Sequence, residues 1–394
     1  MVKEFELTNC QVNAIKKTSE WFNSKHRKSI FVIGGAAGTG KSTIIKYITN
    51  ELNITDKTVF VSFTGKATLV LKQKGLSNCS TIHKLIYIPE VDEDTGKVTF
   101  RLKKRYELSN IKLIVADESS MVSPKLLEDL KSFNIPLLFL GDSAQLPPLA
   151  QSESIFDNPD IELKEITRQA KGDPIIYISQ EIIKGNKLKL GKYGDSVLVT
   201  NKFSDNLLIR ADQVICNTNK KKLYLNKLIR KIKGYNPQEV QIGDKVICRK
   251  NNWDLSEKDE ILNEDIFMLN GLQFNIDSEI TQKEFSYFDS VLKKNRYDDV
   301  YTSDLKSIGF DTIFKQVQYS YDALQNASTE HKRIFSLGIN MLHYAYALNT
   351  HVVQGSEWDN IVYFSDDAFG DKLLQSKLKY TGVTRCKKKL IYIQ

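Results

Sequence analysis

Short apolar runs alternate with segments of helical periodicity in residues 1–150 of the chain. The apolar runs are residues 29–33 (SIFVI), 58–63 (TVFVSF), 111–116 (IKLIVA) and 136–140 (PLLFL). Between the first two, residues 41–52 have isoleucine and leucine at helical spacing. Fully apolar strands that alternate with helices are typical of a parallel sheet covered on both faces. The pattern therefore predicts an α/β domain over residues 1–165.

Residues 86–108 break this alternation. Two segments in which apolar and polar residues alternate flank Asp94, Thr95 and Gly96. This pattern is typical of a β-hairpin that is closed by a glycine-containing turn. We therefore expect a hairpin inserted between the parallel strands of the first domain.

A second α/β pattern follows in the rest of the chain. Residues 213–216 (QVIC), 360–364 (NIVYF) and 389–394 (KLIYIQ) indicate strands, and residues 220–233 indicate a basic helix. We expect a second α/β domain that consists of residues 166–240 and 341–394. The intervening residues 241–340 contain only short strand-like segments, and we interpret them as an inserted β-rich, SH3-like subdomain.

The composition excludes several classes of protein, among them membrane and secreted proteins. The 394 residues include 56 Lys and Arg against 48 Asp and Glu, so the formal net charge is +8. A basic excess fits a polyanionic partner, although a lysine-rich solvated surface has the same charge. No apolar run reaches the roughly 18 residues of a membrane helix, and the start lacks the apolar core of a secretory signal. The five cysteines form no CxxC pair, so we expect a cytoplasmic protein in a reducing compartment.

Residues 35–42 (GAAGTGKS) match the pattern GxxxxGK[ST] between a predicted strand and a predicted helix. Glycines let backbone N–H groups surround phosphate oxygens, and the helix N-terminus adds positive potential. Lys41 is expected to reach the β- and γ-phosphates of ATP, and Ser42 to bind Mg²⁺. The residues predicted to contact the nucleotide in this loop are Gly35, Ala36, Ala37, Gly38, Thr39, Gly40, Lys41, Ser42 and Thr43.

Two carboxylates end the apolar run of residues 111–116. Asp117 is placed to orient the metal ion, and Glu118 to activate a water molecule for attack on the γ-phosphate. The NKxD motif of guanine-binding proteins and the LSGGQ motif of transporter ATPases are absent. A small-molecule kinase would not need the second α/β half. The sequence therefore favours an ATPase of another class.

Eight segments from residue 34 to the C-terminus form an ordered set of motifs. They are residues 34–43 (motif I), 64–67 (TGKA, motif Ia), 80–85 (STIHKL, motif Ib), 117–122 (DESSMV, motif II), 141–149 (GDSAQLPPL, motif III), 166–170 (ITRQA, motif IV), 354–359 (QGSEWD, motif V) and 380–390 (YTGVTRCKKKL, motif VI). Together they resemble the RecD/Dda-like branch of the superfamily 1 helicases. The resemblance covers both α/β halves but little of residues 241–340. It implies two RecA-like domains and movement from 5′ to 3′ on single-stranded DNA.

The resemblance also implies roles for individual residues at the nucleotide. Gln145 would sense the γ-phosphate and link it to DNA, and Arg168 and Arg385 would be arginine fingers from the second domain. A guanidinium in that position can accelerate hydrolysis by about 10³–10⁵. Gln11 would read adenine, although a glutamine on an N-terminal helix is also commonly solvated. Gly355 and Glu357 of motif V would also contact the nucleotide.

Candidate contacts to nucleic acid follow the ends of the predicted strands and the hairpin. They are Thr64, Gly65, Lys66, His83, Pro89, Phe100, Thr218, Asn219, Thr350 and His351. Pro89 and Phe100 lie in the hairpin, where the resemblance implies an apolar wedge that separates strands. Motif V departs from the family, because Asn349 and Val352 stand where Thr and Lys are usual. That departure predicts weaker DNA binding by this segment.

Taken together, the sequence predicts an ATP- and Mg²⁺-dependent DNA helicase that moves 5′ to 3′. Its partners would be single-stranded and forked DNA, with single-strand-binding or replication proteins as candidates. Its compact length resembles that of phage-encoded Dda-like helicases more than that of a RecD subunit. We expect a monomer that is located in the bacterial cytoplasm or in a phage-infected cell. Pif-type and Upf-type helicases remain alternatives, as does an ATP-dependent single-strand-binding switch that does not unwind. Replication, recombination and repair all remain open as pathways.

Overall fold

The computed structural model describes residues 7–91, 98–147, 155–167, 172–236, 241–248, 273–275, 299–302, 314–316, 340–365 and 370–394. The helices in these residues are α1 (Asn9–Asn23), α2 (Lys41–Glu51), α3 (Gly65–Gln73), α4 (Ile82–Ile86), α5 (Pro124–Lys131), α6 (Pro174–Ile183), α7 (Asp205–Arg210), α8 (Asn219–Ile232) and α9 (Lys372–Val383). Among these helices, none is long and apolar enough to span a membrane.

The strands form two large sheets, a smaller sheet and a hairpin. In chain order they are β1 (Ile30–Gly35), β2 (Thr58–Ser62), β3 (Cys79–Thr81), β4 (Tyr87–Val91), β5 (Val98–Leu102), β6 (Leu113–Ala116), β7 (Leu137–Gly141), β8 (Ile161–Leu163), β9 (Gly191–Tyr193), β10 (Val197–Thr200), β11 (Gln213–Cys216), β12 (Lys245–Cys248), β13 (Gln273–Asn275), β14 (Asp299–Thr302), β15 (Phe314–Gln316), β16 (Asn340–Tyr344), β17 (Ala347–Asn349), β18 (Trp358–Phe364) and β19 (Cys386–Ile393).

The first large sheet is parallel and has the strand order β3-β2-β6-β7-β1-β8. Side chains alternate between its faces, so Ile33 packs with Ile44 of α2 on one face, whereas Val32 packs with Leu126 of α5 on the other. Both faces are therefore buried, which explains why the strands are continuous apolar runs rather than alternating patterns. We call this sheet, with helices α1 to α5, the first unit.

The second large sheet has the order β17-β11-β18-β19-β10-β9, in which every pairing is parallel except that of β9 with β10. On one face Ile178 of α6 and Val383 of α9 pack in the same cluster, and Ile229 of α8 packs on the other. We call this sheet, with helices α6 to α9, the second unit.

The two insertions that the sequence predicts correspond to separate strand pairings. Strands β4 and β5 pair only with each other among the described residues, and Pro89 lies directly opposite Phe100. Strands β12 to β16 form an antiparallel sheet in the order β13-β12-β16-β14-β15. This sheet is anchored to the second unit where the Arg230 guanidinium of α8 pairs with Asp244, at 3.0 Å, in a nearly fully buried contact.

Hydrogen bonds attach the β4–β5 hairpin to the rest of the first unit. The Tyr87 hydroxyl donates to Asp129 Oδ2 of α5 at 2.5 Å, and the Lys103 ammonium donates to the Lys84 carbonyl at 3.0 Å. Just after β5, Arg105 Nε donates to the Phe133 carbonyl at 3.1 Å. The hairpin is therefore tied to the first unit where β4 begins and just after β5 ends.

Candidate active site and nucleic-acid interface

The phosphate-binding loop joins β1 to α2, as the sequence predicts. Gly40 precedes α2 with φ = 75°, and a Cβ atom there would lie 2.4 Å from Gln11 Nε2. Only glycine fits this position, because the backbone is left-handed and Gln11 fills the space. Gln11 Nε2 donates to the Thr39 carbonyl at 3.0 Å, and its Oε1 accepts from the Thr8 amide at 2.9 Å. Gln11 thus ties α1 to the loop, and its role in adenine reading remains a prediction.

The two polar residues that end the loop have different partners. The Lys41 ammonium donates to the carbonyls of Gly35 at 2.6 Å and Ala36 at 3.1 Å. Ser42 Oγ donates to Asp117 Oδ2 at 2.7 Å. A hydroxyl and a carboxylate side by side form the hard-oxygen donor set that Mg²⁺ prefers. Burial raises the pKa of Asp117, and the neighbouring Glu118 raises it further, so a cation would be stabilising at this carboxyl.

Glu118 has both an unusual backbone and an unusual charge environment. Its φ of 50° lies in the left-handed region, which costs a non-glycine residue about 1–3 kcal/mol and is common at functional sites. Burial alone would raise its pKa, but the charges of Arg385 and Lys41 outweigh burial and hold the pKa below its ordinary value. The carboxylate therefore stays ionised at neutral pH, as a general base requires.

Gln145 lies between Glu118 of the first unit and Arg385 of the second. In the amide orientation that satisfies both neighbours, its nitrogen donates to Glu118 Oε2 at 3.3 Å and its oxygen accepts from Arg385 Nη2 at 3.1 Å. Arg385 follows α9, is 4% exposed and donates from Nε to the Thr381 carbonyl at 3.1 Å. The structure thus brings Glu118, Gln145 and Arg385 together in one polar chain between the units.

Motif V borders the same cleft. Gly355 and Glu357 line it together with Ser42, Asp117 and Arg385. Gly355 has φ = 71°, and a Cβ atom there would lie 3.0 Å from the Cβ of Ala67 in α3. The second unit can therefore approach α3 closely only because residue 355 is glycine.

Thr64 and Thr218 have equivalent positions in the two units. Thr64 follows β2 and caps α3, and Thr218 follows β11 and caps α8. Each hydroxyl accepts from the amide three residues ahead at 3.2 Å, and the φ angle is −118° at both residues. Gly65 and Asn219 begin the two helices, so each unit presents a helix N-terminus after a strand end, where α/β sheets bind ligands.

His83 connects motif Ib to the hairpin. Its ring centroid lies 6.0 Å from that of Phe63, 5.6 Å from that of Tyr87 and 6.4 Å from that of Phe100. Burial lowers the pKa of His83, which favours the neutral imidazole. Phe100 keeps 45% of its surface exposed despite these contacts. The aromatic surface of the hairpin is therefore continuous with the end of β2.

The structure differs from the prediction at Thr350. This residue is fully buried, and its hydroxyl donates to Asn217 Oδ1 at 3.0 Å. It is therefore not at the surface where a strand could contact it directly. His351 next to it is half-buried, and burial lowers its pKa. Among the candidate contacts to nucleic acid, Thr350 therefore has its hydroxyl used within the second unit.

The unusual residues of motif V have local partners. Asn349 Nδ2 donates to Asn219 Oδ1 at 2.6 Å, so it supports the start of α8. Val352 is half-buried and packs against the core of the second unit. A valine here fills apolar space, which a lysine head group would not do.

Three predicted residues lie wholly or partly outside the described part of the chain. Arg168 lies outside the described residues, although the preceding Thr167 amide donates to the Gly38 carbonyl of the phosphate-binding loop at 3.0 Å. Lys66 lies in α3 and Pro89 in β4, and their side chains are outside the described part of the chain.

Two further residues belong to the site but were not found from the sequence. Lys74 follows α3 and lines the cleft, where its charge lowers the pKa of both Asp117 and Glu118. Tyr380 bonds to the phosphate-binding loop from the second unit. Tyr380 is part of the YTGVTR block, but nothing in the spacing of that block indicates a partner in the first unit.

Comparison with known proteins shows which proteins the chain resembles. Residues 18–151 match the model of an AAA domain, and residues 344–393 match that of the UvrD-like helicase C-terminal domain. The ATP-dependent DNA helicase Dda of Enterobacteria phage T4 is 28% identical over 274 residues, which is 62% of this chain and 61% of Dda. The RecD2 DNA helicase of Deinococcus radiodurans is 29% identical over 164 residues, which is 40% of this chain and 22% of RecD2. The chain is similar to DNA helicases of the Dda and RecD type.

Solved structures of Pif1 helicases confirm the fold class. Pif1 helicase from Candida albicans aligns over 99% of this chain and 94% of its own, with a TM-score of 0.52 and 18% identity. Pif1 in a structure of unwinding at forked duplex DNA aligns over 99% and 92%, with a TM-score of 0.55 and 18% identity. At this identity the likeness establishes the fold, namely RecA-like α/β units with inserted β elements. The chain spans less than two thirds of the length of the curated relatives Dda and RecD2.

Proposed function

We propose that this chain is an ATP-dependent DNA helicase that translocates 5′ to 3′ on single-stranded DNA and unwinds duplex DNA. The observation that carries the proposal is the chain of contacts from Glu118 through Gln145 to Arg385. Because the two units complete one hydrolytic site, hydrolysis there would be coupled to movement of one unit against the other. A phosphate site contained in one unit would not provide this coupling.

The chemistry follows from the charges at the cleft. ATP phosphates would lie along the loop of residues 35–43, with Lys41 released from its carbonyl partners to bind them. Glu118 would accept a proton from the attacking water, and Arg385 would stabilise the charge that grows on the γ-phosphoryl oxygens. Ser42 and Asp117 would hold Mg²⁺, which would neutralise charge on the phosphate groups when bound.

The two equivalent helix N-termini support the proposed DNA path. Thr64 and Thr218 each follow a strand and cap a helix in the same geometry, one in each unit. Backbone amides at these positions can hold successive phosphates of a strand without regard to its sequence. Pif1 neighbours of the same fold were solved with single-stranded DNA and with forked duplex, which supports the same partners here.

The division of the chain stays part of the proposal. We assign residues 1–165 to the first RecA-like domain, residues 166–240 and 341–394 to the second, and residues 241–340 to a β-rich insertion. The first parallel sheet ends with β8, and strands β12 to β16 form their own sheet, which supports the division into two domains and an insertion. Strand β16 (Asn340–Tyr344) carries the inserted sheet a few residues past the proposed boundary at residue 340. A cytoplasmic location and replication or single-strand-binding partners also stay part of the proposal, since the relatives Dda and RecD2 are DNA helicases.

Polarity is tested with forked duplexes that have one single-stranded tail. We expect strand displacement from a substrate with a 5′ tail and none from a 3′ tail or from a blunt duplex. The measurement is release of a fluorescent strand in the presence of ATP and Mg²⁺, with an RNA tail as a further substrate. Unwinding from the 3′ tail alone would refute the polarity. DNA-stimulated hydrolysis without displacement of any substrate would instead favour the non-unwinding switch.

Phe100→Ala is expected to reduce unwinding more than ATP hydrolysis. The ring is 45% exposed on a hairpin with a fixed base, so it is placed to replace base stacking at a fork. We expect the unwinding rate to fall about tenfold while the DNA-stimulated ATPase rate stays within about twofold, since a stacking step is worth a few kcal/mol.

The matched control is Tyr106→Ala, which removes an aromatic ring that is 69% exposed just beyond the hairpin. It should leave both rates unchanged. Equal losses of unwinding and ATPase in Phe100→Ala would show that the ring supports the fold of the first unit, not strand separation.

A further inference from the structure

One hydroxyl of the second unit joins two loops of the first. Tyr380 lies near the end of α9 and is 2% exposed. Its oxygen accepts from the amide of Ala37 in the phosphate-binding loop at 2.8 Å and donates to Asp142 Oδ2 at 2.7 Å. Burial and the Asp142 carboxylate raise the pKa of Tyr380 well above its ordinary value, so the group stays a hydroxyl.

Asp142 in turn shapes the segment that holds Gln145. Its Oδ1 accepts from the Ala144 amide at 2.9 Å, and its carbonyl accepts from the Gln145 amide at 3.1 Å. The next residue of the second unit holds the same turn, since the Leu146 amide donates to Thr381 Oγ1 at 3.1 Å. Two successive residues of α9 therefore fix the turn that places the Gln145 amide beside Glu118.

The same end of α9 fixes the arginine. The Thr384 amide donates to the Tyr380 carbonyl at 3.0 Å, and Arg385 Nε donates to the Thr381 carbonyl at 3.1 Å. The position of Arg385 relative to the phosphate-binding loop thus depends on how α9 is held against the first unit. The Tyr380 hydroxyl joins α9 directly to that loop.

We propose that Tyr380 is a positioning residue for ATP hydrolysis. Its hydroxyl holds the Ala37 peptide, the Gln145 turn and the Arg385 end of α9 in one arrangement. The residue touches none of the reacting atoms, and it acts through Gln145 and Arg385. This inference rests on the proposed ATPase function and adds a residue to it.

The test compares Tyr380→Phe with Tyr346→Phe. The Tyr346 hydroxyl also donates to a buried carboxylate, Asp244 Oδ1 at 3.0 Å, and Tyr346 is 8% exposed. Both variants lose one hydroxyl bonded to a buried carboxylate and keep the ring, but only Tyr380 bridges the units. Thermal unfolding of both variants measures how much stability each loses when this hydrogen bond is removed. A similar loss in both would leave the bridge between the units as the difference between them.

We expect Tyr380→Phe to lower kcat of DNA-stimulated ATP hydrolysis about tenfold, the scale of one hydrogen bond to a charged group. The KM for ATP should change by less than about threefold, because the phosphate-binding groups themselves remain. Tyr346→Phe should keep both parameters. In an Arg385→Lys background, Tyr380→Phe should cause little further loss, since residues that act as a unit are not additive.

Three kinetic results would overturn the inference: an unchanged kcat in Tyr380→Phe, an equal loss in Tyr346→Phe, or full additivity with Arg385→Lys. Amide hydrogen exchange of the chain alone gives a readout that needs no hydrolysis. Amide exchange in the peptide that covers residues 35–43 should rise in Tyr380→Phe and not in Tyr346→Phe. Equal exchange in both variants would contradict the proposal that the Tyr380 hydroxyl holds the phosphate-binding loop. If the wild-type chain had no ATPase activity but Tyr380→Phe still raised this exchange, the proposed function would be refuted, whereas the hold of Tyr380 on the phosphate-binding loop would stand.

Discussion

Replacing Glu118 by Gln is expected to lower kcat of DNA-stimulated ATP hydrolysis by about 10²–10⁴, the usual contribution of a general base. The amide has nearly the shape of the carboxylate and can still accept a hydrogen bond, but it cannot take a proton from water. The expected loss is large because the environment keeps Glu118 ionised: Arg385 and Lys41 lower its pKa against the effect of burial. The phosphate-binding loop is unchanged, so the variant should still bind ATP.

The measurement is steady-state hydrolysis with saturating single-stranded DNA, together with binding of a fluorescent ATP analogue. The matched control is Glu128→Gln on α5, whose side chain is 69% exposed and pairs with Lys131. That variant should hydrolyse ATP at the wild-type rate. If Glu118→Gln retained a tenth or more of the wild-type kcat, another group would have to be the base and the assignment of the site would be wrong.

The local sequence is sufficient to predict the phosphate-binding loop and most strands of the first sheet. Strand β6 was predicted as residues 111–116 and runs Leu113–Ala116, because a strand buried on both faces needs a continuous apolar run. The hairpin was also predicted, since one face of each strand is polar and the alternation is visible. Strands such as β3 and β8 are three residues long and contain polar side chains, so no run marked them.

Contacts between distant segments could not be predicted in the same way. Ala37 and Tyr380 are 343 positions apart, and neither residue type indicates the other. The pairing of Gln145 with Arg385 was expected only through the resemblance to a family, which supplies the relative placement of the two units. Physical reasoning from the residues alone would have left Arg385 as an ordinary surface cation.

Gln11 illustrates a local signal with two interpretations. Thr8 and Gln11 form a capping box at the start of α1, a pattern that the sequence contains in full. The box uses the Gln11 oxygen, and the nitrogen of the same amide reaches the phosphate-binding loop. An N-cap motif and a proposed adenine contact therefore occupy the same side chain, and the sequence alone cannot separate them.

Arg385→Lys is the second substitution for which we expect a very large effect. Arginine fingers contribute about 10³–10⁵ to kcat, and lysine cannot reproduce the planar fork with which a guanidinium bonds two acceptors. In this chain Arg385 donates to Thr381 and Gln145 and lies beside Glu118. Lysine has fewer donors in a different geometry, so the substitution would break the contact between the units. It would also change the placement of the positive charge at the γ-phosphate. We expect kcat to fall at least about 10²-fold, with ATP and single-stranded DNA still bound.

The control is Arg210→Lys, an exposed arginine at the end of α7 in the same unit. Because Arg385 is 4% exposed, thermal unfolding must accompany the kinetics. Partial rescue of Arg385→Ala by added guanidinium would assign the loss to the missing charge and donors at the γ-phosphate. A folded Arg385→Lys variant with wild-type kcat would show that the site is complete within the first unit, and the coupling of hydrolysis to movement would then need another contact.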